Sequence, residues 1–220
     1  MTRTRRRAIF SVLLALVACV GCGRSPERRD LEGREAAAAH LARALPPELS
    51  RGPLLVIANP FTQKPGAPPD VHRYHESVLR GLSEGLGREI RSAEIVFPAL
   101  KEGAWERPES FLSGRSLRTP LSSLMRPDAF DRLAAEQPDA KVFISIVGVP
   151  EGIERTAFWT NARAPALALY LPDFRAVPDA RAWRAAFERG RIVAAVVEQA
   201  GYPSGRVIRS AADLPFPATP

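Results

Sequence analysis

Short apolar runs rich in β-branched residues recur along the body of the chain, with longer amphipathic or irregular segments between them. The run at residues 142–147 is apolar except for Ser145, and Gly148 and Pro150 follow it. A run of this length and composition is typical of a strand that is buried on both faces of a sheet. We place this strand near the middle of the predicted sheet.

Four similar runs predict further strands. They are residues 54–58, 93–97, 166–171 and 192–197. Several intervening segments have the apolar spacing of amphipathic helices. In residues 71–86, for example, the apolar side chains share one helical face, with Asp70 as the predicted N-cap and Gly87 at the end. The pattern predicts an α/β fold, with a single three-layer domain around a mostly parallel sheet of about five strands.

Two connections are long and have little periodicity. Residues 100–119 carry Trp105, and residues 148–165 carry Trp159 and Asn161. Connections of this length inside a compact domain are usually functional or poorly ordered.

The beginning of the chain has the organisation of an export signal. Basic residues at positions 3–7 precede an apolar run at residues 8–18. This run is too short to span the hydrocarbon core of a bilayer, which is about 30 Å thick. A secretory signal that happens to hold two cysteines would explain the pattern without a lipid.

The segment Leu16-Val17-Ala18-Cys19 resembles the lipobox of bacterial lipoproteins. The resemblance implies cleavage after Ala18, lipid attachment to Cys19 and anchoring in the cell envelope, with the domain in the periplasm or at the cell surface. Cys22 is the alternative lipidated residue, but the residues before it fit the pattern less well. The membrane, reached through this anchor, is therefore an expected partner.

These patterns divide the chain into a signal peptide (1–18), a lipid-anchored tether and helix (19–50), an α/β domain (51–210) and a frayed tail (211–220). The Ala-rich helix predicted over residues 31–45 either packs on the domain or belongs to the spacer.

Composition narrows the possible functions. The formal charge is +7, but four of the 31 basic residues lie in the export segment, which leaves 27 basic and 24 acidic residues. The remaining arginines are dispersed and form no basic stripe, so we expect no nucleic-acid partner. No cysteine follows Cys22. This excludes a disulfide framework, a thiolate metal site and a cysteine nucleophile in the domain.

The sequence indicates no specific catalytic or metal chemistry. His72, His75 and Glu76 are close enough to share a helix, but they do not form the HExxH pattern, and no later histidine completes a zinc site. Glu151 and Glu154 could act as an acid and a base, but loop carboxylates are usually just solvated. We therefore expect no metal and no cofactor, and the sequence assigns no catalytic residue.

The body of the chain resembles one lobe of the periplasmic sugar-binding and related solute-binding proteins. The similar segments are Asn59-Pro60-Phe61 before a helix with Gly81-Leu82, the strand segment PALALYLPD at 165–173, and residues 190–199 with Gly205. The resemblance implies a domain that binds a ligand. Such proteins normally have two lobes around a cleft, whereas this chain has residues for one.

Polar and aromatic residues follow several predicted strands. In open parallel sheets, ligands bind beyond the carboxyl ends of the strands, which meet at one edge. We expect five residues to lie close together there and to contact a ligand: Asn59, Trp105, Trp159, Asn161 and Asp173. Alternatively, the two tryptophans only hold their long loops on the sheet.

The sequence thus favours an exported, lipid-anchored, non-enzymatic α/β binding module of the cell envelope. Its partner would be a small polar ligand or an envelope protein. Two alternatives stay open, namely a structural or assembly accessory lipoprotein and a hydrolase with an unrecognised site.

Overall fold

The computed structural model describes residues 25–111, 121–199 and 202–216 of the 220-residue chain. The α-helices of this part are α1 (Pro26–Arg43), α2 (Pro47–Ser50), α3 (Pro69–Leu86), α4 (Leu121–Leu124), α5 (Ala129–Glu136), α6 (Ala157–Thr160) and α7 (Ala180–Glu188). The strands are β1 (Leu54–Ile57), β2 (Ile95–Val96), β3 (Val142–Ser145), β4 (Ala166–Tyr170), β5 (Ile192–Gln199) and β6 (Tyr202–Ile208).

Within the described residues, these six strands form one sheet in the order β2-β1-β3-β4-β5-β6. The first five are parallel, and β6 pairs antiparallel with β5. The strand order reverses between β1 and β3. The predicted α/β fold with a mostly parallel sheet is confirmed, and β3 lies near its middle as expected.

The sixth strand, β6, is an addition to the sheet of about five strands that the sequence predicts. Gly205 explains how a strand forms there. Its φ of 69° is in the left-handed region, and a Cβ at this position would lie 2.8 Å from the carbonyl oxygen of Val197. Glycine therefore allows the irregular register between β5 and β6 that brings the two backbones close.

Two hydrophobic cores lie on opposite faces of the sheet. Along β3, Val142 and Ile144 belong to the core under α1 and α3, and Phe143 belongs to the core under α5, α6 and α7. Alternate residues of a strand point to opposite faces, so a continuous apolar run supplies both cores. The result is the predicted three-layer arrangement.

Helix α1 packs on α3 and on β4, β5 and β6. Of the two positions that the sequence left open for this helix, the structure has it on the domain. Small residues explain the close fit, because Ala38 and Ala42 of α1 face Gly81 and Gly85 of α3.

Helix ends agree closely with the sequence pattern. Asp179 caps α7 by accepting a hydrogen bond from the backbone N–H of Arg181 at 2.9 Å, and Gly87 ends α3 with a φ of 66°. At the start of α3, however, Pro68 occupies the N-cap position, so Asp70 is the second residue of the helix and not its N-cap.

The last described residues are packed, although we expected a frayed tail at 211–220. Ala211–Asp213 form a 3-10 helix, Leu214 is buried, and the ring of Phe216 meets that of Phe174 edge-on at 5.3 Å between centroids. These apolar contacts hold residues 211–216 against the core, whereas residues 217–220 lie outside the described part of the chain.

The predicted export segment, with Cys19 and Cys22, also lies outside the described residues. Signal cleavage and lipidation therefore stay predictions. In the part of the chain that the structure describes, no helix is both long enough and apolar enough to cross a membrane.

Candidate functional site

A cleft of about 550 Å³ opens at the carboxyl ends of β3, β4 and β5. Ile146 and Leu171 contribute apolar surface from just beyond β3 and β4. Its polar lining comes from α1, from the ends of β4 and β5, and from β6: Arg34, Tyr170, Asp173, Arg175, Glu198 and Arg206. Separate elements thus bring charged groups together at the edge of the sheet where parallel sheets bind ligands.

Tyr170 ends β4 and is 4% exposed. Its hydroxyl donates a hydrogen bond to the backbone carbonyl oxygen of Arg34 at 3.4 Å. Burial raises the pKa of this hydroxyl well above its usual value, and the nearby Arg34 cation only partly opposes that shift. The hydroxyl therefore stays protonated and ties α1 to the end of β4.

Protein contacts fix the Arg34 guanidinium in the wall of the cleft. The group lies over the ring of Tyr74, with its central carbon 4.4 Å from the ring centroid, and Nε donates to Asp30 Oδ2 at 2.9 Å. Burial alone would lower the pKa of Arg34, but the hydrogen bond and the negative charge of Asp30 raise it above its usual value. The side chain is thus a permanently charged and oriented donor.

Asp173 and Arg175 form a tight pair just beyond β4. The Asp173 carboxylate is largely buried and accepts hydrogen bonds from Arg175 Nε at 2.9 Å and Nη2 at 2.7 Å. The same carboxylate accepts the backbone N–H of Arg175 at 3.0 Å, which caps the short 3-10 helix Phe174–Ala176. This network sets the path of the chain along the cleft.

Leu171 occupies a strained backbone conformation in the wall of the cleft. Its φ is 44°, and no other described residue except glycine has a positive φ. The backbone N–H of Leu171 donates to the carbonyl oxygen of Val196 at 2.9 Å. A left-handed conformation costs a non-glycine residue about 1–2 kcal/mol, and such strain is concentrated at functional sites. This outlier independently singles out the same edge of the sheet.

The remaining charged groups come from the β5–β6 hairpin. Arg206 Nη2 donates to the carbonyl oxygen of Asp213 at 2.8 Å. Glu198 is exposed near the end of β5, where its charge acts on the Tyr170 hydroxyl. Strands β5 and β6 thus contribute one negative charge, Glu198, and one positive charge, Arg206, to the lining of the cleft.

Of the five residues predicted to bind a ligand, Asp173 lines the cleft. Asn59 and Trp105 also lie beyond strand ends, in a second cluster. Asn59 Oδ1 accepts the backbone N–H of Phe61 at 2.9 Å, and the rings of Phe61 and Trp105 stack at 5.5 Å between centroids. Lys64 Nζ donates to the carbonyl oxygen of Trp105 at 2.9 Å, which holds this loop in place.

Trp159 and Asn161 lie elsewhere, so the structure does not bring the five residues together. Trp159 is buried in the core, edge-on to Trp183 at 5.5 Å between centroids. The carbonyl oxygen of Asn161 accepts a hydrogen bond from Arg191, which directly precedes β5. Asn161 also lines a cavity with Lys141, the residue before β3. It is therefore at the amino edge of the sheet.

The correction has a simple cause. Helix α6 lies within the connection that we expected to be irregular, and it takes the chain along one face of the sheet. Asn161, directly after α6, is thus removed from the carboxyl ends, and Trp159 on α6 is buried in the core. Ligand contacts of Asn59, Trp105 and Asp173 stay predictions.

The structure also describes the residues that the sequence analysis considered for metal binding and for acid-base chemistry. His75 Nδ1 is buried without a hydrogen-bond partner in the described structure, and burial lowers the pKa of this imidazole. In residues 25–111, 121–199 and 202–216, no three potential ligand side chains come together as a metal site requires. Glu151 instead contacts Ser123 at 3.3 Å and Lys101 at 3.9 Å.

Of the polar residues that line the cleft, the sequence predicted only Asp173. It gave no prediction for the other five: Arg34, Tyr170, Arg175, Glu198 and Arg206. For Tyr170 an indication existed, because it is the penultimate residue of the strand predicted at 166–171, which Pro172 follows. No comparable indication existed for Arg34, since only the packing of α1 places it in the cleft.

No protein-family model matches the chain, and no curated protein matches it. Among solved structures, the fold is weakly similar to that of GanP, a glucose-galactose binding protein from Geobacillus stearothermophilus, with a TM-score of 0.45 and 14% sequence identity. The similarity covers 83% of this chain and 62% of the GanP chain. The chain therefore spans about three fifths of the length of that protein, and the likeness concerns the fold alone.

Proposed function

We propose that the protein is an exported, lipid-anchored binding protein that acts without catalysis and holds a small polar molecule in the cleft. The observation that carries the proposal is the cleft itself. Its volume of about 550 Å³ is in the range of small-molecule sites, and charged groups from separate elements converge on it.

The order of these groups supports binding. Arg34 is held by Asp30 and the ring of Tyr74, and Arg175 is held by Asp173. Side chains that are already fixed lose little conformational entropy when a ligand arrives, which leaves more of the interaction energy for affinity.

The strain at Leu171 supports the same location. The fold keeps a conformation that is unfavourable for leucine at the end of β4, between Tyr170 and Pro172. This conformation sets the direction of the chain that continues to Asp173.

Export and anchoring are the other part of the proposal. The basic and apolar segments before Cys19, and the restriction of cysteine to this region, support a lipid anchor on that residue. The folded domain would then act in the cell envelope, close to the membrane.

The test is calorimetric titration and thermal unfolding of the purified chain with a panel of metabolites. A ligand at 100 times its Kd would stabilise the protein by about 2.7 kcal/mol. The variant Arg206→Trp, which places a bulky ring at the cleft, should lose this effect. Arg209→Trp is the matched control, because Arg209 is exposed and does not line the cleft. Equal binding by both variants would reject the cleft as the site.

A further inference from the structure

We propose that the molecule held in the cleft is a soluble organic anion, whose carboxylate or phosphate group is bound by Arg34 and Arg206. This inference rests on the proposed function of the cleft and specifies its ligand class. It follows from the way in which the charges of the lining are already satisfied within the protein.

The lining contains three arginines and two acidic residues. Asp173 and Arg175 are bound to each other through two side-chain hydrogen bonds. Their charges are mutually compensated, and the largely buried Asp173 carboxylate has little surface left for a ligand. Of the other two arginines, Arg34 is paired with Asp30 through Nε alone, and Arg206 is bound to a backbone carbonyl, so each retains N–H groups for a ligand.

Arg34 retains N–H groups that can donate to a ligand after its hydrogen bond to Asp30 has formed. Asp30 accepts from Nε, which is one of the five N–H groups of a guanidinium. The stacking on Tyr74 fixes the plane of the group. The guanidinium also donates a side-chain hydrogen bond to the Tyr170 hydroxyl, and its other N–H groups remain for a ligand. An oriented guanidinium of this kind matches a carboxylate or phosphate, which it binds through charge-assisted hydrogen bonds.

Arg206 is bound to a neutral acceptor. Its hydrogen bond goes to the backbone carbonyl of Asp213, and the carboxylate of that residue accepts the hydroxyl of Ser210 at 2.8 Å. The contact orients Arg206, whose charge also acts on the nearby Asp213 carboxylate. Among the described residues, no carboxylate accepts a hydrogen bond from Arg206. An anionic ligand group would supply such an acceptor.

Glu198 opposes a negative ligand, but its position limits this effect. It is exposed near the end of β5, where solvent and salt screen its charge. We therefore expect one anionic group between Arg34 and Arg206, with the rest of the ligand neutral near Glu198.

The test is calorimetric titration of the purified full-length chain in neutral detergent micelles. The probes are succinate, glycerol 3-phosphate and inorganic phosphate, with glucose as the uncharged comparison. We expect at least one anion to bind and its affinity to fall with added salt. Arg34→Gln and Arg206→Gln should each weaken binding by about tenfold or more, because each removes a charge-assisted hydrogen bond.

Matched variants separate this effect from general loss of charge or stability. Arg80→Gln and Arg209→Gln each remove one exposed arginine that does not line the cleft, so anion affinity should be unchanged. Thermal unfolding of each variant shows whether it is folded. Arg206→Gln is the more robust of the two cleft variants, since Arg206 is exposed, whereas Arg34 supports contacts between helices.

Each other outcome is decisive. Binding of glucose without binding of any anion would overturn the inference and leave the proposed function intact. No binding of any probe would reject both for this cleft. Anion affinity that is equal in Arg206→Gln and Arg209→Gln would also overturn the inference. So would binding that requires phosphatidylglycerol in the micelles, because the partner would then be a lipid headgroup.

Discussion

Gly81 and Gly85 are the residues at which α1 and α3 come closest. A Cβ at Gly81 would overlap the backbone carbonyl of Glu35, and one at Gly85 would lie 2.6 Å from the Cβ of Ala42. Backbone atoms of a packed helix cannot move aside as a flexible side chain can. The absence of a side chain at these two positions therefore allows the helices to pack at this distance.

We expect Gly81→Ala to lower the free energy of unfolding by about 3 kcal/mol or more, because the added methyl group separates two packed helices. Urea denaturation would measure the change. Glu76→Ala on the exposed face of the same helix is the control and should change stability by less than about 0.5 kcal/mol. Equal midpoints for the two variants would contradict the packing argument.

His75 gives the domain a pH dependence in the acidic range. Burial lowers the pKa of its imidazole in the folded state. The unfolded chain, with a pKa of about 6.5, therefore binds the proton more readily, and stability is lost as pH falls below about 6.5. We expect His75→Leu to flatten the stability profile between about pH 7 and pH 5. His72→Gln is the comparison, and a profile as flat as that of His75→Leu would argue against this role for burial.

At the scale of elements, β2 is the most weakly built strand, since it has two residues and one neighbouring strand in the described sheet. Glu94, directly before it, supplies an anchor. The buried carboxylate accepts hydrogen bonds from Arg88 at 2.9 and 3.1 Å and from the backbone N–H of Arg91 at 2.9 Å. Burial alone would raise the pKa of Glu94, but these donors lower it to about 2.

Glu94→Gln should therefore destabilise the domain by about 2–3 kcal/mol at pH 7. The folded pKa is below the unfolded value, so the contribution is present above about pH 4.5 and is lost as pH falls towards 2. Chemical denaturation at several pH values would show the difference from the wild type shrinking in that range. Glu89→Gln is the control, because Glu89 is exposed in the same loop.

The elements that could be predicted are those whose pattern is local. The five parallel strands follow continuous apolar runs, and Asp179 and Gly87 mark helix ends through contacts with neighbouring residues. Strand β6 could not be predicted, because its Pro203 and Gly205 favour a turn locally and only pairing with β5 makes the segment extended.

The candidate site was less predictable for the same reason. Asp173 could be placed from its position after a strand. Arg34 depends on where α1 packs, and Asn161 depends on a short helix within a connection that has no clear periodicity. Both are consequences of tertiary packing, which a single sequence does not specify at the level of individual side chains.

At the scale of the whole molecule, the first question is how the chain is attached. We predict that the mature protein begins at Cys19 and carries lipid there, since Cys19 follows Ala18 in the lipobox-like segment. Mass spectrometry of the protein from a bacterial membrane fraction would identify the modified terminus. Cys19→Ser should leave the domain unlipidated, whereas Cys22→Ser should not. An unmodified terminus beyond Cys22 would contradict the prediction.

The packing of α1 on the sheet also sets the reach of such an anchor. Ser25 already caps a helix that is part of the domain, so only residues 20–24 separate it from Cys19. Fully extended, this five-residue linker would span about 20 Å, which is roughly half the diameter of a domain of this size. If Cys19 carries the lipid, a domain held so closely could not diffuse through the envelope. Its ligand would then have to reach the membrane surface, and the orientation of α1 against that surface would decide which part of the domain faces it.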